Sequence, residues 1–563
     1  MYHLTIIAYH CRMNRCILNK NLLIAFLLFN ILQPTIAQPF TKADTLRGSN
    51  TAERSWWDVQ RYDITVTPDF NTKSIKATCG ITYKVLNNSS TIMQIDLQSP
   101  LTISSITQNG KMVAAKQVSP FVYHIQTDKF YAGNEGKILI EYSGTPREAV
   151  RPPWDGGWIW KKDSLGRPWM SVACQGLGAS VWYPCKDYQA DEPDRGASLT
   201  MIVADTLKAI ANGRLIDTKP VQNRMNAWKW EVVNPINNYN IIPYIGMYEN
   251  WQEIFEGEKG KLDINYWTLD YHKKQAEPQF KQVKQMLQCF EKWMGPYPFY
   301  EDGYKLIEAP HLGMEHQSAV AYGNGFKNGY RGTDLSGSGW GLLWDFIIIH
   351  ESGHEWFGNN ITTNDIADMW VHEGFTNYTE TLFTEYMYGE AAGNEYNKGI
   401  RKSIKNDIPI KGAYGVNSEG SGDMYYKGSN MLHTIRHVIN NTEKWRNILR
   451  GLQSTFYHQT VDSKQVEAYI NTQSGINFNK VYEQYLSNTM IPQLSYYHEG
   501  KNKICMRWDS CIAGFNMPLV LKKNNAEKRV KPITEKWVKV NSKYFDAQWI
   551  ENNFYIRIKE IKP

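Results

Sequence analysis

The sequence has no long block of like charges, no internal repeat and no low-complexity linker. Lys and Arg total 62 against 56 Asp and Glu, a formal net charge of +6, and the two signs are interspersed along the chain. Such a pattern does not indicate a nucleic-acid partner, because basic residues are clustered on proteins that bind nucleic acids. The sequence also has no CxxC pair of the kind that holds zinc through cysteine.

Long apolar runs are absent after the first forty residues, and the run before that point has the features of a signal peptide. Residues 22–29 are all apolar, follow Arg15 and Lys20, and precede a small-x-small site at residues 35–37. The run is too short to span a bilayer comfortably. We therefore expect residues 1–37 to be a signal peptide and the mature protein to be exported, either periplasmic or secreted, with no transmembrane segment.

Cysteine is sparse, with eight residues, two of which lie in the predicted signal peptide. Among the other six, Cys174 and Cys185 or Cys505 and Cys511 could form local disulfides in an oxidising compartment. Buried thiols are an equally good interpretation, because spacing alone does not decide the pairing.

The length of 563 residues exceeds what one hydrophobic core usually organises, so several domains are expected. An apolar content of 42% and a charged content of 21% are ordinary for a folded protein. Short alternating stretches at 62–67, 81–85 and 137–142 are typical of antiparallel β structure. They predict an N-terminal β domain over residues 38–250.

Apolar residues then recur at helical spacing, beginning with residues 274–293. This pattern predicts a mostly helical domain over residues 251–491, with helices around 340–358, 370–389, 427–440 and 464–488. Strand patterns return after residue 491 and predict a small C-terminal β-sandwich over residues 492–563, with strands at 518–521, 536–540 and 554–559. The predicted fold class is multidomain α+β.

The most informative stretch is an apolar helical segment, residues 347–357, which contains a His-Glu-x-x-His pattern from His350 to His354. Residues four apart lie on one face of a helix, one turn apart, so both imidazoles can bind the same Zn²⁺. Glu351 lies beside them and can accept and donate a proton. A pattern this short also arises by chance, so the interpretation requires a third ligand.

Glu373 is the predicted third ligand, since a catalytic zinc takes three protein groups and keeps a fourth position for water. It follows His354 after eighteen residues, at the start of a second predicted helix. The competing ligand is His372, whose side chain would point about 100° away from that of Glu373 on a helix. We therefore predict one zinc ion bound by His350, His354 and Glu373.

This ligand spacing resembles that of the zinc aminopeptidases of the aminopeptidase N and leukotriene hydrolase type, which are gluzincin metallopeptidases. The resemblance covers the chain from about residue 57 to its end. It implies an N-terminal β domain, a thermolysin-like catalytic domain and a small β-sandwich, in a bacterial exported member that lacks the large C-terminal helical domain of longer relatives. The implied activity is removal of residues from peptides with free N-termini.

The stretch Gly313-Met314-Glu315 resembles the exopeptidase signature of the same family, in which the Glu binds the α-amino group of the substrate. That role would fall on Glu315. The strand around Gly313 and Met314 could also pair with the peptide backbone, which would suit a broad range of substrates. His316 stands where the family usually has Asn.

Two other positions match family motifs. Tyr425 begins a Tyr-x-Lys-Gly sequence that resembles the motif whose tyrosine stabilises the oxyanion. Gln175 matches a residue that reaches the first specificity pocket, whereas Ala173 replaces a Gln that the family often has two residues earlier.

These residue types fit the hydrolysis of a peptide bond. Zinc polarises the carbonyl and lowers the pKa of bound water, so that Glu351 can take the water proton and pass it to the leaving amine. Tyr425 would donate to the oxyanion. Glu315 would pair with an α-ammonium group and would be left unpaired by a mid-chain peptide bond.

Two other classes of protein remain open at this point. A thermolysin-like endopeptidase would share the zinc ligands and the base but would not need Glu315. A non-catalytic binding protein on a peptidase scaffold usually loses the base or a ligand, and none is missing here. No residue indicates the epoxide hydrolase activity that one branch of the family has.

Overall fold

The structure is a computed structural model that describes residues 40–128 and 131–562. The predicted signal peptide over residues 1–37 lies outside these ranges. Within them, no helix combines the length and the apolar character needed to cross a membrane.

The N-terminal region begins with a short α-helix, and apart from two 3₁₀ turns the rest of its regular structure is β strand. These elements are α1 (Lys42–Gly48), β1 (Trp57–Asp69), β2 (Ser74–Val85), β3 (Ile92–Asp96), β4 (Thr102–Gln108), β5 (Lys111–Met112), β6 (Ala115–Ser119), β7 (Val122–Gln126), β8 (Glu135–Gly144), β9 (Gly157–Lys162), β10 (Pro168–Ala173), β11 (Ala197–Ala204), β12 (Lys208–Ile210), β13 (Arg214–Val221), β14 (Met225–Val232) and β15 (Tyr244–Gly246).

These strands form an eight-stranded sheet in the order β13-β14-β11-β1-β2-β8-β4-β5, a four-stranded sheet β12-β15-β10-β9 and a three-stranded sheet β3-β7-β6. Apolar and polar residues alternate along β2, so one face of the strand lies in the core. Lys76 faces outward on the other side, whereas the buried residues are Ile75, Ala77, Ile81 and Tyr83. Pairing is antiparallel except between β1 and β11, which run parallel.

The middle region combines a five-stranded sheet and a two-stranded sheet with most of the helices. Its elements are β16 (Tyr248–Gly257), β17 (Gly260–Leu269), α2 (Lys273–Phe280), α3 (Gln282–Met294), β18 (Tyr304–Glu308), β19 (Gly313–Met314), β20 (Val320–Tyr322), α4 (Phe346–Gly353), β21 (Ile361–Thr363), α5 (Trp370–Tyr388), α6 (Glu390–Ile400), α7 (Tyr426–Ile439), α8 (Thr442–Thr455), β22 (Gln459–Val461), α9 (Ser463–Ser474) and α10 (Asn479–Leu486).

The middle sheet has the order β16-β17-β18-β20-β19, so the two-residue strand β19 lies at its edge. The predicted domain boundary at residue 250 falls inside β16. Met314 packs into the hydrophobic core of the N-terminal region, together with Ala319 and Ala321. Because successive strand residues face opposite sides, Gly313 and Glu315 then face away from that core.

Two helices differ in extent from their predictions. The helix expected over 340–358 is shorter, since α4 begins at Phe346, where Asp345 accepts hydrogen bonds from the first free N–H groups. The helix expected over 464–488 is two helices, because Gly475 adopts a left-handed conformation at φ 73° and ends α9.

The C-terminal region contains a four-stranded sheet in the order β27-β24-β23-β28 and a hairpin, β25 with β26. Its core is continuous with that of the middle region. The strand predicted over 554–559 begins only at residue 557, after a helix. The elements are β23 (Gln493–Glu499), β24 (Lys503–Asp509), β25 (Leu519–Lys523), β26 (Ala526–Val530), β27 (Val538–Asn541), α11 (Ala547–Asn553) and β28 (Arg557–Glu560).

Short 3₁₀ turns connect several of these elements, at Ala179–Val181, Asn238–Asn240, Trp340–Leu342, Ile366–Asp368, Arg401–Ser403, Gly422–Met424 and Ser542–Tyr544. The six cysteines in the described ranges are all thiols, so neither Cys174 with Cys185 nor Cys505 with Cys511 forms a disulfide. The predicted multidomain α+β architecture is confirmed, while the domain boundaries remain predictions.

Candidate active site

Three side chains converge between α4 and the first turn of α5. The Nε2 atoms of His350 and His354 lie 3.7 and 3.3 Å from Oε2 of Glu373. All three ligand atoms lie within 4.8 Å of one another, and all three residues are buried. The structure therefore brings together the three predicted zinc ligands, in a group that could hold one metal ion.

A carboxylate that contacts Nδ1 of His350 sets the orientation of its ring, on the side away from Glu373. This Nδ1 lies 2.8 Å from Oε1 of Glu380, which also accepts a hydrogen bond from Asn377, while Oε2 of the same carboxylate accepts one from Tyr396. A carboxylate only accepts, so Nδ1 of His350 carries the proton and Nε2 presents a lone pair to the centre.

His354 is oriented in the same way by its own loop, because its Nδ1 lies 3.0 Å from the carbonyl oxygen of Phe357. The buried Oε2 of Glu373 has no hydrogen-bond partner in the described residues. Two lone pairs and an unpaired carboxylate oxygen that face one point fit the preference of zinc for two His and one Glu.

Charge also favours this assignment. Burial alone would raise the pKa of the Glu373 carboxyl, but His354 and His350, in their protonated forms, hold that pKa well below its usual range. A metal cation has the same effect on the carboxyl when the two imidazoles are neutral and offer it their lone pairs. Glu373 therefore remains an anion in a buried site, which is the form that binds a metal.

A close helix crossing brings the start of α7, with Tyr425, near the α5 turn that carries Glu373. A Cβ atom added to Gly428 of α7 would lie 3.0 Å from Cα of Gly374 in α5. Any larger side chain at either position would push the two helices apart. The ring of Tyr425, at the start of α7, lies 6.0 Å from the His350 ring and is half-buried.

Glu351 lies one residue from the first ligand and contacts the edge strand. A Cβ atom added to Gly313 would lie 2.8 Å from Oε1 of Glu351, so only glycine leaves room for that carboxylate. Burial raises the pKa of Glu351 to about 7, although His350 and His354 oppose the rise. A cation bound beside it would lower this value.

Glu315 reaches the same centre from the end of the edge strand. Its carboxylate lies within 4.8 Å of ligand atoms of Glu351 and His354. Its Oε1 accepts hydrogen bonds from Nε2 of Gln175 at 2.6 Å and from the hydroxyl of Tyr239 at 2.9 Å. Burial raises the pKa of Glu315 and is opposed by His354.

The remaining histidines lie outside this group. Nε2 of His372 accepts a hydrogen bond from the backbone N–H of Thr363 at 2.9 Å, which directs that ring away from the metal ligands. His316 turns to the N-terminal region, where its Nδ1 lies 2.5 Å from the hydroxyl of Tyr244.

Sequence reasoning missed Tyr239, Asn359 and Glu380. Asn359 donates to the backbone carbonyl of Glu315 at 2.8 Å. Glu380 follows Glu373 by seven residues, which places both on one face of a helix, so its role could have been predicted. Tyr239 comes from a 3₁₀ turn of the N-terminal region, and no local sequence signal connects it to Glu315.

Comparison with known proteins matches residues 344–485 to the Peptidase family M1 domain. This range contains His350, Glu351, His354, Glu373 and Tyr425. Leukotriene A-4 hydrolase from Xenopus laevis is 21% identical over 453 residues, which is 75% of this chain and 69% of the hydrolase.

Leucine aminopeptidase 2 from Vanderwaltozyma polyspora is 21% identical over 350 residues, covering 59% of this chain and 49% of that protein. The chain thus spans about half the length of this aminopeptidase. An M1 zinc metallopeptidase from Deinococcus radiodurans has a similar fold, with a TM-score of 0.64 and 19% identity over 78% of this chain and 95% of that one.

Proposed function

We propose that this chain, which carries a Peptidase family M1 domain, is a zinc-dependent aminopeptidase that hydrolyses the N-terminal peptide bond of peptides. The observation that carries this proposal is the position of Glu315, a buried carboxylate within 4.8 Å of ligand atoms of Glu351 and His354. A carboxylate placed there suits a substrate whose positive end lies beside the bond to be cut.

His350, His354 and Glu373 would hold one zinc ion. When bound there, zinc supplies the Lewis acidity that activates water and the scissile carbonyl. Glu351 accepts a proton from the attacking water and passes it to the leaving amine, a role that typically contributes about 10²–10⁴-fold to rate. The Tyr425 hydroxyl donates a hydrogen bond to the oxygen that becomes negative.

Glu315 would recognise the free α-amino group. Gln175 and Tyr239 occupy its Oε1 with hydrogen bonds, so the carboxylate is held in one orientation. An α-ammonium group satisfies the remaining charge, whereas a mid-chain peptide bond would leave a buried anion unpaired at a cost of several kcal/mol, roughly.

The edge strand would hold the substrate backbone. β19 has a neighbour, β20, on one side only, so Gly313 and Met314 can pair with an extended peptide on the other. Backbone pairing does not depend on side chains and supports a broad substrate range. Gln175, which reaches Glu315 from the N-terminal region, would border the pocket for the first side chain.

We also propose that the enzyme is exported, either periplasmic or secreted. The support is the signal-peptide pattern of residues 1–37, in which an apolar run follows Arg15 and Lys20. N-terminal sequencing of protein recovered from cell fractions tests this part, and an uncleaved N-terminus in the cytoplasmic fraction would contradict it.

The test of the activity compares hydrolysis of free and N-acetylated versions of the same peptides, with zinc content measured on the same sample. We expect cleavage of the free peptides alone, and its loss in Glu351→Ala but not in the matched surface variant Glu443→Ala, on the exposed start of α8. Cleavage of both forms would indicate an endopeptidase, and bound zinc without cleavage a binding protein.

A further inference from the structure

The short helix at the start of the described residues, α1, lies against a loop that leads toward α7. This loop, residues 404–421, ends at the 3₁₀ turn that precedes Tyr425. The backbone N–H of Asn417 in the loop donates to the carbonyl oxygen of Asp44 in α1 at 3.1 Å. An isolated helix of seven residues is marginal in water, so contacts with the rest of the protein must stabilise α1.

Gly48, the last residue of α1, makes this close approach possible. A Cβ atom added to Gly48 would overlap the carbonyl carbon of Val416 and the backbone nitrogen of Asn417. These are backbone atoms, which cannot turn aside as the end of a flexible side chain would. Any side chain at position 48 would therefore push α1 and loop 404–421 apart.

A fully buried cation connects the end of α1 to the N-terminal region. Nη1 of Arg54 donates to the carbonyl oxygen of Ser49 at 2.9 Å, and its Nη2 lies 2.6 Å from Oδ2 of Asp96. That oxygen also accepts a hydrogen bond from the N–H of Asp187 at 3.0 Å, and Oδ1 of Asp187 accepts one from the N–H of Ala179 at 3.2 Å. The end of α1 is thus connected to the 3₁₀ turn that Ala179 begins.

The side chain of Asn417 links loop 404–421 to the carboxylate of Glu315. Its Nδ2 donates to the carbonyl oxygen of Gly176 at 3.2 Å. Gln175, which precedes Gly176, donates from Nε2 to Oε1 of Glu315 at 2.6 Å. A displacement of Asn417 would therefore reach Glu315 through one peptide unit and one side chain.

Tyr239, whose hydroxyl donates to the same carboxylate at 2.9 Å, lies beside these residues. Gly48, Gly176, Asn417 and Tyr239 all line one cavity of about 60 Å³. If α1 moved away, this cavity would lose part of its wall and water would compete for the donors around it. A hydrogen bond in a low dielectric is stronger than one in water, so the hold on Glu315 would weaken.

We propose that α1 is a positioning element of the aminopeptidase site and that Asn417 is its positioning residue. Docked α1 holds Asn417 against the segment that carries Gln175, and Gln175 then fixes Glu315 in the orientation that receives an α-ammonium group. This rests on the proposed aminopeptidase function and deepens it, because recognition of the amino group then depends on a helix more than 120 residues before Gln175 in its influence on the loop at Asn417 and on that loop itself.

The test measures, by calorimetry on the zinc-loaded protein, the dissociation constants of alanine hydroxamate and of propionohydroxamate, which lacks only the α-amino group. Both compounds bind zinc through the hydroxamate, so the ratio of the two constants reports recognition of the amino group. In the unaltered protein we expect alanine hydroxamate to bind about tenfold more tightly. In Asn417→Ala and in Gly48→Ala this preference should fall to about threefold, with the constant for propionohydroxamate unchanged.

Two matched variants serve as controls. Gly80→Ala adds the same methyl group in β2, where the nearest atom lies at 3.4 Å, and Asn525→Ala removes an exposed amide in the turn between β25 and β26. Both should keep the preference of the unaltered protein. Thermal melting checks that each variant is folded. Because Gly48→Ala and Asn417→Ala disturb one contact from opposite sides, the proposal stays testable if one of them does not fold.

An undiminished preference for alanine hydroxamate in Asn417→Ala would overturn the proposal. An equal loss of affinity for both compounds would also overturn it, since Asn417 would then support the packing of the whole site. A preference that falls in Asn417→Ala but not in folded Gly48→Ala would overturn the role of α1. Equal affinity for the two compounds in the unaltered protein would instead contradict the role of Glu315, and with it the proposed aminopeptidase function.

Discussion

Tyr425 is the residue whose proposed role depends most on a single atom, its hydroxyl oxygen. Burial and the nearby carboxylates of Glu373 and Glu315 raise its pKa well above the usual value, so the phenol keeps its proton and can donate at any ordinary pH. A neutral donor beside a developing negative charge stabilises it without requiring reorganisation.

We therefore expect Tyr425→Phe to lower kcat by about 10²–10³-fold with little change in KM, because only the hydroxyl is removed. Steady-state kinetics on a free peptide measure this. The adjacent Tyr426 provides a matched control, since it is also half-buried but is not assigned a role. Equal effects of Tyr426→Phe and Tyr425→Phe would argue for packing rather than oxyanion stabilisation.

Glu380 is expected to affect metal affinity without touching the metal. Its carboxylate lies 2.8 Å from Nδ1 of His350 and keeps the lone pair of Nε2 directed at the centre. In Glu380→Gln the negative charge is lost, so the affinity for zinc should fall by about 10–100-fold. Titration against a chelator of known affinity measures this change.

The control for that experiment is Glu390→Gln, at the exposed start of α6. It should bind zinc as the unaltered protein does. Unchanged affinity in Glu380→Gln would mean that an uncharged acceptor at this position suffices to hold the ring of His350, and that the charge of Glu380 does not set the affinity for zinc.

At the scale of the element, the edge strand β19 tolerates little change in shape. In Gly313→Ala the new methyl group would lie 2.8 Å from Oε1 of Glu351 and 2.9 Å from Cγ2 of Ile347. The strand or the base must then move, so we expect at least about a tenfold loss of kcat/KM. The matched change Gly80→Ala in β2 meets its nearest atom at 3.4 Å and should leave activity unchanged.

Circular dichroism and thermal melting of Gly313→Ala would show whether the loss is confined to the site. Full activity in this variant would mean that the substrate does not need Glu351 at its observed position beside the strand.

The elements that carry the three predicted metal ligands could be predicted because their signals are local. The pair His350 and His354 is one helical turn, and Glu373 lies in the first turn of the next long helix. The split between α9 and α10 differs from the prediction, because Gly475 ends α9 in the middle of an apolar pattern that is periodic on both sides of it. β19 has only two residues, so its length and edge position depend on partners far along the chain.

At the scale of the whole molecule, the site joins two regions that are distant in sequence. The contact of Gln175 with Glu315 spans 140 residues, and that of Tyr239 with Glu315 spans 76. The family resemblance predicted Gln175 as a site residue, whereas it did not predict Tyr239. The proposed zinc ligation depends on short spacing in the sequence, whereas the proposed amino-group recognition depends on how two hydrophobic cores meet.

The same junction contains a buried carboxyl group that should make stability depend on pH. Glu192 is 8% exposed, and its Oε1 has no hydrogen-bond partner within the described ranges. Burial raises its pKa to about 7 from 4.5, and the charges of Asp191 and Asp194 add to the rise. Thr362 of β21 lies close to it, so this carboxyl faces the middle region.

The sign of the effect follows from proton binding. Between pH 4.5 and about 7 the folded protein keeps the Glu192 proton while the unfolded chain has released it. The folded state thus binds more protons, and the free energy of unfolding falls as pH rises, by about 3 kcal/mol at most from this group. Above about pH 7 the loss is complete.

We therefore expect the Tm of the unaltered protein to fall more between pH 5 and pH 8, the two test values, than that of Glu192→Gln, whose amide cannot ionise. Other buried acids titrate in both proteins, so the difference between the two curves isolates Glu192. Glu135→Gln, at an exposed position of β8, should follow the unaltered protein. Parallel curves for Glu192→Gln and the unaltered protein would mean that Glu192 is already ionised when folded, and that the junction between the two regions admits water.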